Sequence, residues 1–112
     1  QHGLVSMIQH FLNNKISLQK IVTKMCHNPA DLFQIDRRGY IRKGYYADIV
    51  LLDLNSPWKV EKKNILYKCK WSPFEGIVFD SKVTHTFING KLVFENGKFD
   101  NSFRGREITF NR

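Results

Sequence analysis

With 112 residues and a formal net charge of +8, the sequence is sized for one modest domain. Apolar residues at 42% and aromatic residues at 13% exclude an intrinsically disordered chain. No apolar run approaches the ~20 residues that a membrane-spanning helix needs, and the N-terminus has neither the basic start nor the apolar stretch of a signal peptide.

Cys26 and Cys69 lie far apart, with no CxxC and no matching histidine spacing. That argues against a disulfide framework and a zinc knuckle, so a reduced, cytoplasmic setting is expected. The chain begins at Gln1 rather than Met, and an excised or processed piece of something longer is the expectation. The basic balance would suit nucleic acid. However, Lys15, Lys20, Lys24, Arg37, Arg38, Lys62, Lys63, Lys68, Lys70, Arg104 and Arg106 are scattered and form no run of five or six. Nucleic acid is therefore not the expected partner. A solvated basic face accounts for the charge, with a stand-alone basic binding or scaffold module as the alternative.

In chain order, Leu4, Val5, Met7, Ile8, Phe11 and Leu12 recur at helical spacing and predict an amphipathic first helix ended by Asn13-Asn14. Ser17 is an N-cap candidate for a second helix with Leu18, Ile21, Val22, Met25 and Cys26 inward. "HNPADLF" predicts a third, capped by Asn28 with Pro29 in its first position. From Gly39 the texture changes. "ADIVLLDL" predicts a strand buried on both faces or packed hard on one. Pro57 opens a short edge segment, and residues 64–79 read as irregular. In "VTHTFINGKLVFENGKF", Asn89-Gly90 marks a tight type I′ hairpin and Asn96-Gly97 a second turn. Phe99, Phe103, Ile108 and Phe110 predict a last strand or a docked tail.

Helices first and strands after give an α+β class. The helices have wide apolar faces, and the strands are too few to cover them together with the sheet's own second face. Exposed edges and apolar patches follow, with self-association through those edges as one consequence. The chain reads as part of a larger protein.

No catalytic, cofactor-binding or metal-binding set emerges from the residues. His2 and His10 lie near one face of the first helix without a carboxylate, short of the three or four converging ligands a metal requires. His85 is expected to pair across strands and His27 to sit near a helix end. Asp48 and Asp53 flank the predicted strand as acceptors for local backbone amides. Glu75 sits in an aromatic-proline context and reads as a buried acceptor for backbone amides. Ser72 and Ser81 lack a GxSxG elbow, Cys26 lies on an apolar helix face, and there is no GxGxxG or phosphate loop.

The segment order carries a resemblance. "NPADLFQIDRRGYIRKGYYADIVLLDL" is similar to the stretch of amidohydrolases that closes the barrel and enters the small β domain. "KCKWSPFEG" followed by "VTHTFINGKLVFENGKF" resembles the C-terminal end of dihydroorotases, with allantoinases and dihydropyrimidinases as related versions. The resemblance implies that residues 1–38 are the last helices of a (β/α)8 barrel and residues 39–112 a β-sandwich portion. Segment 64–79 would be the junction, with Trp71, Pro73 and Phe74 as packing anchors. It implies a parent enzyme that interconverts carbamoyl-aspartate and dihydroorotate in pyrimidine biosynthesis. There a metal pair, usually zinc, activates a bridging hydroxide. The ligands are a His-x-His pair, a carboxylated lysine, two more histidines and an aspartate, and this chain contains none of those motifs. Gln1-His2-Gly3 would fall near the mouth loop. The implied partners are the rest of the barrel and N-terminal β strands, and this chain alone is expected to be inactive.

Overall fold

The computed structural model describes residues 1–112 and is α+β, with helices before strands. Helix α1 (Gly3–Leu12) buries Val5 and Ile8, three residues apart on one face. It ends where Asn14 takes a left-handed φ of 57°, a conformation asparagine tolerates better than most residues. Helix α2 (Leu18–Val22) starts as predicted, with the Ser17 hydroxyl accepting from the Lys20 N–H at 3.2 Å.

Two expectations for the next stretch need correction. Asn28 does not cap a separate helix, because its backbone is already helical. Instead α2 passes through a π-helical turn (Thr23–His27) into α3 (Asn28–Leu32). Pro29 lacks an N–H and its ring crowds the carbonyl four residues back, and the widened π turn just before it accommodates both defects. The inward face is also narrower than predicted. Ile21 is buried, whereas Val22, Met25 and Cys26 are exposed, since nothing packs over that side.

Gly39 explains how the chain leaves the helices. Its φ is +80°, and a Cβ there would lie 2.4 Å from the Ala30 Cβ and 2.8 Å from the Cys26 carbonyl oxygen. The backbone thus crosses directly against the helical run.

Strand β1 (Ile49–Asp53) pairs antiparallel with β4 (Lys82–Ile88), then β5 (Lys91–Glu95) and β6 (Lys98–Phe99), in the order β1-β4-β5-β6. Both glycine turns form as expected. Asn89 and Gly90 have φ of 51° and 78°, and Asn96 and Gly97 have 46° and 87°, the left-handed pairs a type I′ turn needs. β1 is not buried on both faces. Val50 and Leu51, on opposite faces, remain 44% and 46% exposed, because no second layer covers this strand. Asp53 accepts from the Asn55 N–H at 2.9 Å, a local turn as predicted. Asp48 instead reaches outward, accepting from the Asn89 N–H at 2.9 Å and pairing with Arg38, and so ties the start of β1 to the hairpin turn.

A second small sheet pairs β2 (Trp58–Lys59) with β3 (Val78–Phe79). The core lies between this sheet and α1, where Val5, Val60, Ile65 and Phe79 are buried together, with Trp58, Phe74 and Val83 packed around them. The tail docks through a bridge between Ile35 and Phe110. Asp36, held below the usual carboxylate range chiefly by its Arg37 hydrogen bond, also accepts from Asn111 and Thr109. Only 10 of 112 residues are buried. The radius of gyration is 15.2 Å, against about 13 Å for a compact domain of this length. The chain is correspondingly open. No helix is long and apolar enough to cross a membrane.

Gly39→Ala should destabilise the chain by about 2–4 kcal/mol, from left-handed strain and overpacking together. The check is a lower urea midpoint at unchanged denaturant slope.

Candidate functional site

The candidate site is the joint where the chain's first residues meet segment 64–79. His2 precedes α1 and is 1% exposed. Its ring lies among Tyr67, Trp58, Phe74 and Phe79, with centroids 5.5 to 6.3 Å away. Nδ1 sits 3.0 Å from the buried Ser72 hydroxyl, which also accepts from the Phe74 N–H at 3.2 Å. Nε2 is buried without a partner. Burial holds the ring below the ordinary histidine range, so it is neutral near pH 7.

Neighbouring contacts lock the same joint. The Gln1 side chain acts as a short strand, donating to the Asn64 carbonyl at 2.7 Å and accepting from the Leu66 N–H at 2.9 Å. Asn64 in turn accepts from the Glu61 N–H and donates to the Lys59 carbonyl, closing a 3-10 turn (Lys62–Asn64). Deeper along α1, Gln9 and Asp80 bond reciprocally, each bond 2.8 Å. The Trp58 indole N–H donates to the Ser81 carbonyl at 2.8 Å.

The distance between Ser72 and His2 is that of a nucleophile and its base, but the setting is structural. No carboxylate orients the ring, and neither side chain can be reached by a substrate. Beside the joint lies an open apolar hollow of about 390 Å³, lined by Trp58, Val83, Phe94 and Phe99, with Lys82 as its charged lining residue. It offers surface for packing and no convergent acid–base set.

The structure corrects several assignments in this segment. Trp71 is 62% exposed and Pro73 is exposed too; of the three expected anchors only Phe74 packs on the core. Glu75 is exposed and accepts no backbone amide. Those amides bond carbonyls instead, Gly76 N–H to Val60 at 2.8 Å and Ile77 N–H to Phe74 at 2.9 Å. His27 lies inside the helical run rather than at its end, and its ring stacks on Tyr40 at 4.1 Å. His85 behaves as expected, facing Glu95 across the hairpin with Nε2 3.4 Å from the carboxylate. His10 is exposed and far from His2 in environment, and both cysteines are free and exposed. No three His, Cys, Asp or Glu side chains converge, so the donors of this chain do not fit a binuclear zinc centre. The His2–Ser72 contact spans 70 residues and has no local sequence signal.

The profile described as "Amidohydrolase family" matches residues 3–93. The chain belongs to the amidohydrolase family. Within it, the dihydroorotase of Pyrococcus horikoshii is 33% identical over 93 residues, covering 83% of this chain and 22% of that protein. The allantoinase of Desulfitobacterium hafniense is 30% identical over 106 residues, covering 95% of this chain and 23% of that protein. Among solved structures, the L-hydantoinase (dihydropyrimidinase) from Arthrobacter aurescens matches with a TM-score of 0.74 at 32% identity, over 83% of this chain and 21% of that one. This amidohydrolase chain therefore spans between 21% and 23% of the length of these relatives.

Ser72→Ala should cost about 1–3 kcal/mol, because it strips a partner from the buried ring and from the Phe74 N–H together. In a His2→Phe background the same change should cost less. A double-mutant cycle from urea unfolding measures the difference.

Proposed function

We propose that this chain is the C-terminal portion of a dihydroorotase-like cyclic amidohydrolase. Residues 1–38 would supply the last helices of a (β/α)8 barrel and residues 39–112 part of the small β domain, with residues 64–79 as the junction between them. The similarity to the Pyrococcus horikoshii dihydroorotase over 83% of the chain carries this reading. The uncovered apolar surfaces support it. Leu32 and Phe33 on the helical side, and Val50 and Leu51 on the sheet, are exposed and have the character of faces that pack on other layers.

In this proposal the partner is the rest of the enzyme, namely the barrel strands and the N-terminal β strands, in the cytoplasm. A metal centre, zinc by family resemblance, and the hydrolytic chemistry reside in that remainder. The contribution of this chain is mechanical, closing the barrel and holding the small β domain against it. Its alpha-helical start, pinned at His2, would lie near the mouth of the site. A second reading, an allantoinase-type or dihydropyrimidinase-type parent, is favoured by the allantoinase match, which extends over 95% of the chain.

The purified chain, with zinc added, should hydrolyse neither dihydroorotate, allantoin nor a hydantoin above the blank. Zinc-dependent turnover by the chain alone would sink the proposal. Comparing kcat/KM of the uninterrupted gene product on the three substrates decides between the parents, and dihydroorotate is expected to lead.

A further inference from the structure

A titratable ring, that of His2, is buried at the centre of the joint. The His2 ring has one hydrogen-bond partner, the Ser72 hydroxyl at Nδ1, and an Nε2 with none. Ser72 Oγ accepts from the Phe74 N–H at 3.2 Å and is therefore free to donate its own proton to Nδ1. The neutral ring then carries its proton on Nε2, directed into the aromatic surround, where ring faces give a weak acceptor. A second proton would have to go on Nδ1. That would turn the Ser72 hydroxyl from donor to acceptor, leave its own proton without a partner, and place a full charge where water does not reach.

The groups facing the ring are Trp58 from β2, Phe79 from β3, and Tyr67, Ser72 and Phe74 from the junction. The titratable one is the Tyr67 phenol, which accepts from the His2 N–H at 3.2 Å. The first turn of α1 has no acid, and His2 takes part in none of the four ion pairs. Nothing nearby would compensate an imidazolium.

We propose that His2 is a proton-sensitive lock. Its neutral ring holds the start of α1 against segment 64–74, and protonation releases that contact while the hairpin sheet stays paired. The sheet has no part in the lock, since β1, β4, β5 and β6 are joined by their own ladders. The release would pull Gln1 from the Asn64 carbonyl and the Leu66 N–H, and so free the exposed loop 66–71.

The direction of the pH effect follows from burial. The ring is held below its ordinary value of 6.5 in the folded chain, so the unfolded or opened chain binds the extra proton. The stabilising contribution is complete above the ordinary value and declines as pH falls through it toward the lower folded value. In that window the opening equilibrium constant rises up to about tenfold per pH unit.

The test uses the whole chain. Protection factors for the Leu66 and Phe74 amides should fall up to about tenfold for each pH unit below about 6.5, while those within β4 and β5 hold. In His2→Phe this pH dependence should disappear. Ring NMR signals of His2 in the wild-type chain should stay neutral below the ordinary histidine range, and this readout does not depend on the variant folding. A His2 ring that titrates at or above 6.5 in the folded chain, or loosening that is equal at the junction and the hairpin, overturns the lock. So does an unchanged pH dependence in a folded His2→Phe chain.

Discussion

Val60 has no exposed surface, and three stretches far apart in sequence meet on it. Val5 arrives from α1, Ile65 from just after the 3-10 turn and Phe79 from β3. Its backbone is tied as well, donating to the Ile77 carbonyl at 2.9 Å and accepting from the Gly76 N–H at 2.8 Å. The polar clasps around the joint sit on this apolar contact. Gln1 can bond Asn64, and Gln9 can bond Asp80, only because Val5 and Val60 already place helix and sheet within reach. Apolar burial is non-directional and supplies the approach, while the hydrogen bonds select one registration among the possible dockings.

The joint has a second layer of meaning because a titratable ring fills it. An aliphatic side chain at position 2 would occupy similar space without a requirement for one protonation state. Histidine adds the Ser72 contact and the constraint that the ring remain neutral. Buried polar groups of this kind exact specificity. The first residues meet the Ser72 and Tyr67 hydroxyls, the Asn64 carbonyl and the Leu66 N–H.

Beyond the joint, the layers are unevenly covered. The helical run from 18 to 32 buries only Ile21 and Ala30, and Ile41 beyond it is 86% exposed. Strand β1 is apolar on both faces and open on both. Apolar faces of this kind ordinarily lie between packed layers, and here they line the sides of the molecule. The same residues that make this chain open are those the proposed remainder of the enzyme would cover. That accounts for a core of few residues in a sequence whose composition would support a larger one.

What the sequence determined by itself was everything set by short-range chemistry. The Ser17 cap, the two Asn-Gly turns, the Asp53 turn and the helix-then-strand order all follow from bonds or dihedral preferences within a few residues. Motif order in "NPADLF", "ADIVLLDL" and "KCKWSPFEG" was enough to point to the family. Tertiary structure alone decided where the chain is buried and what its polar groups meet. Trp71 and Glu75 looked like anchor and acceptor and lie exposed, while His2, 70 residues from Ser72, became the buried centre. Asn28 looked like the cap of a separate helix and instead continues a helical run through a π turn. The physical reason is common to all three. A local pattern specifies which conformations a segment prefers, whereas burial and long-range bonding depend on which other segment arrives, and that is settled only when Val5 and Val60 meet.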